Sequence, residues 1–269
     1  MYLIDYHCHS ELSPDSSTPL IDNANAAIDM GLSELCITDH FDLLTGEGER
    51  QHASALHWPP RVEQYCAVRD ATKGKLKLKL GMEFGSGQVD AADAAQTLDH
   101  PELDFVIGSI HNRTVETGAT DLYYIDYTSS DLCYEVLEDY FLSMERLVEA
   151  DCYDVLGHII YPVRYMSVRD GQEVDVYRYL DRIRGILKGV AAHGKGIELN
   201  TWCGRTLEEW RPTLEAYRDC GGEYLTVGAD AHKACYIGQG VREAYELLKD
   251  VGFRYVTTYD KRTPVQIKL

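Results

Sequence analysis

The first strand-like run, Tyr2-Leu3-Ile4-Asp5-Tyr6, leads into His7-Cys8-His9, and the last of the same kind, Tyr224-Leu225-Thr226-Val227-Gly228, leads into Ala229-Asp230-Ala231-His232. Each is a short apolar stretch that finishes in two metal-capable side chains placed two residues apart. Five further short apolar runs lie between them, each ending in a potential metal ligand: Glu34 to Thr38, Lys75 to Met82, Phe105 to Ile110, Val155 to Gly157 and Ile197 to Asn200. They finish in Thr38-Asp39-His40, Gly81-Met82-Glu83, Ser109-Ile110-His111, Gly157-His158 and Glu198-Leu199-Asn200. Stretches of helical period alternate with them, the pattern of a mainly parallel sheet or barrel coated by helices. In such folds functional side chains collect at the C-terminal ends of the strands, so residues far apart in sequence are expected to meet in one bowl.

The two-residue spacing has a geometric meaning. On an extended backbone, His7 and His9 project to one side and Cys8 to the other, and the same is expected of Asp230, Ala231 and His232. Neutral imidazole mixed with carboxylate suits zinc, iron or manganese better than calcium or magnesium, which prefer all-oxygen shells. Of ten histidines, six (His7, His9, His40, His111, His158 and His232) stand at strand ends, too many for chance placement. His52, His57, His100 and His193 read as ordinary hydrogen-bonded histidines. Glu83 and Asp230 taken alone would read as caps or ion-pair partners, and their company with the histidines makes them candidate ligands.

Outward from the strands, the helices carry their own punctuation. Thr18-Pro19 reads as an N-cap and first helical residue, with Gly31 just past the end of that helix. Ser130 to Ala150 is amphipathic throughout, and Asp175 to Ala192, Pro212 to Cys220 and Val241 to Val251 are similar. Arg254 to Tyr259 is a last strand-like run that closes or flanks the set. With no low-complexity linker or internal repeat, residues 1–269 are expected to form one domain.

Composition removes several classes of function. Apolar residues at 45% and charged residues at 26% are those of a globular chain, not a disordered one. No stretch has the length of apolar sequence that spans a bilayer, and the N-terminus has no basic, apolar leader, so a cytoplasmic protein is expected. A formal charge of −18 repels polyanions, and Lys73 to Lys79, read as the solvated face of a strand, is too short for a nucleic-acid stripe. Eight cysteines without a Cys-x-x-Cys pair are expected to be reduced and mostly buried. Neither a Gly-x-Ser-x-Gly elbow, a dinucleotide loop nor a Walker sequence occurs.

These motifs, taken in order, resemble the PHP (polymerase and histidinol phosphatase) family, and within it the monofunctional histidinol-phosphatases. The likeness is carried by His7-Cys8-His9 with Ser13-Pro14-Asp15-Ser16, Ile37-Thr38-Asp39-His40, Gly81-Met82-Glu83, Ile107-Gly108-Ser109-Ile110-His111, Asp154-Val155-Leu156-Gly157-His158, Gly196-Ile197-Glu198-Leu199-Asn200-Thr201 and Gly228-Ala229-Asp230-Ala231-His232. The resemblance implies a distorted seven-stranded (β/α)7 TIM-like barrel with three divalent transition-metal ions (Zn, Fe or Mn). It implies His7, His9, Glu83 and Asp230 around one ion, Glu83, His111 and His158 around a second, and Asp15, His40 and His232 around a third. Asp15 enters only through the resemblance; by itself it reads as a turn residue beside Pro14.

The implied reaction is hydrolysis of L-histidinol phosphate to L-histidinol and phosphate by metal-activated hydroxide, with no covalent phosphoenzyme. Arg164 and Arg205 match arginines of the histidinol-phosphatase pattern and would hold the phosphate. The chain departs from that pattern where Trp202-Cys203-Gly204 replaces a small Ser-Gly-Leu and Ala229 replaces a serine. The alternatives are a PHP phosphoesterase acting on another small phosphate ester such as a nucleotide or sugar phosphate, a capsule-type tyrosine phosphatase, an amidohydrolase, and a catalytically silent metal-binding regulator.

Overall fold

A computed structural model describes residues 1–205 and 207–269, and in it the strand-like runs lie side by side in one curved parallel sheet. In chain order the strands are β1 (Ile4–Asp5), β2 (Glu34–Ile37), β3 (His40–Asp42), β4 (Lys77–Gly85), β5 (Phe105–Ser109), β6 (Val155–Leu156), β7 (Gly196–Asn200) and β8 (Leu225–Gly228). The spatial order is β1-β2-β4-β5-β6-β7-β8. β3 continues the line of β2 and pairs with the C-terminal end of β4, His40 beside Glu83. The first and last staves then meet: Tyr6 N–H donates to the Val227 carbonyl at 2.9 Å, Asp230 N–H to His7 at 2.8 Å and His9 N–H to Ala231 at 2.9 Å. The result is a nearly closed seven-stranded parallel barrel, one of the two forms the strand pattern allowed and the one the family resemblance implied.

Helices α1 (Leu20–Asp29), α2 (Trp58–Ala71), α3 (Ala91–Leu98), α4 (Ser130–Ala150), α5 (Leu180–Ala192), α6 (Arg211–Asp219) and α7 (Val241–Val251) complete the crossovers. In α4 the stripe Val136, Leu137, Tyr140, Phe141, Met144, Leu147 and Val148 is buried, and Ser129 Oγ caps the Leu132 N–H. α1 starts one residue later than its sequence indicates. Thr18 spends its hydroxyl on the His232 carbonyl at 3.1 Å, so Pro19, still extended, takes the capping position. α5 is likewise shorter than expected, because Asp175 caps only a single 3-10 turn at Tyr177.

The run from Arg254 flanks the barrel and does not close it. β9 (Tyr255–Asp260) and β10 (Thr263–Lys268) form an antiparallel ribbon across the N-terminal ends of the strands, where Leu225 N–H donates to Thr257 Oγ1 and Arg262 pairs with Asp154. This ribbon also corrects the reading of the lysine run. Lys77 is exposed, but Lys79 is buried, its Nζ 2.6 Å from Asp260 and 3.4 Å from Asp104. Two carboxylates draw the ammonium under the barrel where alternation alone would leave it in water. The cysteines are all free, yet only Cys8, Cys36 and Cys133 are buried, and Cys235 is exposed, so burial is less general than expected. Among the described residues no helix is long and apolar enough to cross a membrane.

Candidate metal centre at the strand ends

The C-terminal ends of the strands bring His7, His9, Asp15, His40, Glu83, His111, His158, Asp230 and His232 into one cluster. Glu83, on β4, is its centre. Its Oε2 lies 2.9 Å from His7 Nε2, 3.4 Å from His9 Nε2 and 3.3 Å from His40 Nδ1. Its Oε1 lies 2.8 Å from His158 Nε2 and 3.1 Å from His111 Nε2. Asp230 Oδ1 is 3.5 Å from both His7 and His9, and Asp15 Oδ2 is 2.8 Å from His232 and 3.4 Å from His40. One carboxylate thus faces imidazoles on two sides, while a second group forms at the mouth around Asp15.

Local backbone explains how these side chains reach the cluster. Cys8 is fully buried and turns its thiol to the Cys36 carbonyl, leaving His7 and His9 on the inner side as the spacing requires. Asp230 differs from the extended geometry expected of it. Its φ is +58°, a left-handed conformation uncommon for any residue but glycine and held here by the hydrogen bond from Asp230 N–H to His7. Gly228 lies just before it, and a Cβ at this position would sit 2.3 Å from His7 Cβ, so only glycine lets β8 approach that close.

Two carboxylates outside the expected ligand set fix the rings. Glu198 Oε1 is 2.6 Å from His7 Nδ1, and its Oε2 accepts the His158 N–H at 3.0 Å. Asp42 Oδ1 is 2.7 Å from His111 Nδ1. Each holds one ring nitrogen so that the other points at Glu83, the arrangement that orients and strengthens histidine ligands. Asp42 has a sequence signal of its own: it stands two residues after His40 on a strand, the spacing that pairs His7 with His9.

The donors fit divalent metal ions. Bonds of about 2.0–2.1 Å in tetrahedral geometry place ligand atoms about 3.3 Å apart, and the separations here run from 2.8 to 3.5 Å. Groups whose donor atoms all lie within 4.8 Å of one another are His7, His9 and Asp230; His40, Glu83 and His111; and His9, Asp15, His40 and His232. Among the described residues the buried His9 Nε2 and His40 Nδ1 have no hydrogen-bond partner, which an ion would supply. Burial, then the neighbouring His232 and His40, pushes His9 down to about 3, so the ring is neutral and its lone pair is free. Burial would raise Glu83, but His7, His40 and His111 outweigh it and hold the carboxyl well below its usual range. Asp230 is held down likewise, chiefly by His7 and Arg164 against the effect of burial.

The two arginines sit differently. Arg164 is buried, with Nη1 2.6 Å from Asp230 Oδ2 and Nη2 2.7 Å from Asn200 Oδ1. Arg205 is exposed and lies over the Trp202 ring. Beside the cluster opens a cleft of about 1050 Å³, with Asp15, His40, Asp42, His111 and His232 on its floor. Glu11, Glu47 and Asp121 give its wall an acidic character, and Tyr123, Tyr124, Tyr161 and Tyr165 an aromatic one.

Fold and site define a class: parallel α/β barrels with a histidine–carboxylate metal constellation at the carboxyl ends of the strands. The chain belongs to the PHP domain family, which it matches over residues 5–202. It is 27% identical over 264 residues to the histidinol-phosphatase of Lactococcus lactis subsp. lactis (strain IL1403), covering 96% of this chain and 95% of the relative. It is 28% identical over 275 residues to the probable histidinol-phosphatase of Thermotoga maritima, covering 99% and 100% of the two chains. In fold it is similar to the crystal structure of histidinol phosphate phosphatase from Lactococcus lactis complexed with zinc, L-histidinol and phosphate. That likeness has a TM-score of 0.82 at 24% identity and covers 98% of both chains.

Proposed function

We propose that this chain, as one domain over residues 1–269, is a metal-dependent phosphatase. Its reaction is hydrolysis of L-histidinol phosphate to L-histidinol and phosphate, a late step of histidine biosynthesis, in the cytoplasm. The observation that carries the reading is Glu83, ionised, buried and set between imidazoles on both sides. The names of relatives matched along nearly the whole chain support the substrate.

Three divalent ions, zinc, iron or manganese, would be held by His7, His9, Glu83 and Asp230, by Glu83, His111 and His158, and by Asp15, His40 and His232. Bound there, such ions supply a nucleophilic water at neutral pH and neutralise charge on the phosphoryl oxygens. The chain's own groups do the rest. Glu198 and Asp42 hold the tautomers of His7 and His111. Arg164, anchored by Asp230 and Asn200, and Arg205 bind phosphate oxygens. The cleft takes the leaving alcohol, and its acidic and tyrosine-lined wall suits a cationic amine beside a planar imidazole.

Steady-state rates on a panel of phosphate monoesters test the reading. Metal-replete protein is expected to hydrolyse histidinol phosphate with kcat/KM at least about tenfold above AMP and sugar phosphates, a difference of about 1.4 kcal/mol in transition-state binding. An equal or reversed preference would assign the site to another small phosphate ester.

A further inference from the structure

Trp202 and Cys203 have φ of +43° and +55°. Two consecutive non-glycine residues in the left-handed region carry a conformational cost. The only other such pair among the described residues, Lys261-Arg262, is the two-residue turn of the β9–β10 hairpin, where this conformation is the favoured one. Trp202-Cys203 joins no hairpin, so its cost needs another compensation.

The surrounding bonds show where the turn is aimed. Trp202 N–H donates to Asn200 Oδ1 at 2.9 Å, the same oxygen that accepts Arg164 Nη2 at 2.7 Å. Cys203 N–H donates to the Ala229 carbonyl at 2.9 Å, and Arg205 N–H to Thr201 at 2.9 Å. Held in this way, the half-buried indole has the Arg164 guanidinium 5.2 Å from its ring centre and that of Arg205 at 4.9 Å. Both distances lie within the range of cation–π attraction. Two guanidinium groups repel one another, and a ring within reach of both attracts both.

We propose that Trp202 is a positioning residue that spaces Arg164 and Arg205 into a two-cation face for phosphate. This rests on the phosphatase reading and on the phosphate role of the two arginines. Arg164 is already fixed by Asp230 and Asn200, whereas the exposed Arg205 side chain lies over the indole and has no hydrogen bond or ion pair to the other described residues. Trp202 therefore acts mainly on Arg205, by holding a long side chain over the same indole that Arg164 approaches, before phosphate arrives.

The test is calorimetric titration of inorganic phosphate into metal-replete wild type, Trp202→Gly and Trp202→Phe, with metal content and kinetics on histidinol phosphate measured in parallel. Glycine removes the ring yet suits the left-handed backbone, so the turn is kept; phenylalanine keeps an aromatic face. Trp202→Gly is expected to bind phosphate about 5-fold to 30-fold more weakly, the worth of one to two cation–π contacts. Its KM should rise in step, with kcat and metal content nearly unchanged, and Trp202→Phe should recover most of the loss. Wild-type phosphate affinity in Trp202→Gly, or a loss of kcat together with metal, would overturn the inference while leaving the phosphatase reading intact. Absence of phosphate binding in the wild type would defeat the inference, and absence of turnover of histidinol phosphate as well would defeat both.

Discussion

The Nδ1 of His111 lies 2.7 Å from Oδ1 of Asp42, and the opposite nitrogen of the same ring lies 3.1 Å from Glu83. A buried imidazole held in this way has one tautomer and one orientation, with Nε2 presented to the centre of the cluster.

Removing that anchor should loosen metal without removing a ligand. Asp42→Ala is expected to weaken metal affinity about 10-fold to 100-fold, and excess metal should restore most of the activity. Gly85→Ala should act alike, because a Cβ there would lie 1.6 Å from Asp42 Oδ1 and must displace it. Metal-binding isotherms check both; unchanged affinity in the two variants would show that Asp42 is not needed to orient His111.

Ligand and phosphate roles separate kinetically. His111→Ala should lose metal and lower kcat by orders of magnitude. Arg205→Ala should keep its metal content and lose about 10-fold to 150-fold in kcat/KM, the worth of one charge-assisted contact. Arg205→Ala with wild-type kcat/KM would remove the arginine from the phosphate site.

At the other end of the barrel, Lys79→Ala removes the ammonium 3.4 Å from buried Asp104, which keeps the backbone N–H groups of Leu80 and Lys261 and the Lys261 ammonium at 3.6 Å. A loss of about 1–3 kcal/mol in unfolding free energy is expected, less than for a fully broken buried pair because a second ammonium stays close. Denaturant titration reads it, and metal content should not change.

Metal-stripped and metal-loaded protein should respond oppositely to pH. In the stripped protein burial lowers His40, but Glu83, Asp15 and Asp42 outweigh it and raise the ring from 6.5 to about 9. A group raised on folding stabilises fully below its unfolded value, and that contribution is lost as pH rises through the folded one. Glu83 and Asp230, both lowered on folding, stabilise above the ordinary carboxylate range and lose effect only in acid. The stripped protein should therefore lose thermal stability from about pH 6.5 to 9. Metal binding needs deprotonated imidazole, so the loaded protein should hold or gain stability over that interval. Parallel melting curves with chelator and with metal would contradict this.

The parallel strand set and most of the cluster are legible because strand-end position and two-residue spacing are written directly in the chain, whereas closure into a barrel is implied only by the family resemblance. What escaped depends on contacts between distant segments. Asp15 has no periodic signal and was reached only through family resemblance. α2 shows no apolar stripe to read, since only Tyr65 and Val68 are buried along it and two prolines open it. The left-handed turn at Asp230 is imposed by His7, and Lys79 is drawn inward by Asp104 and Asp260, partners that strand periodicity cannot name.

The central claim is that the cluster around Glu83 binds several divalent metal ions and that hydrolysis depends on them. Titrating metal into stripped protein, while phosphate release from histidinol phosphate is followed, tests it most directly. The account predicts no activity without metal and a reversible rise that needs more than one equivalent per chain to complete. Full activity in the metal-free protein would contradict it.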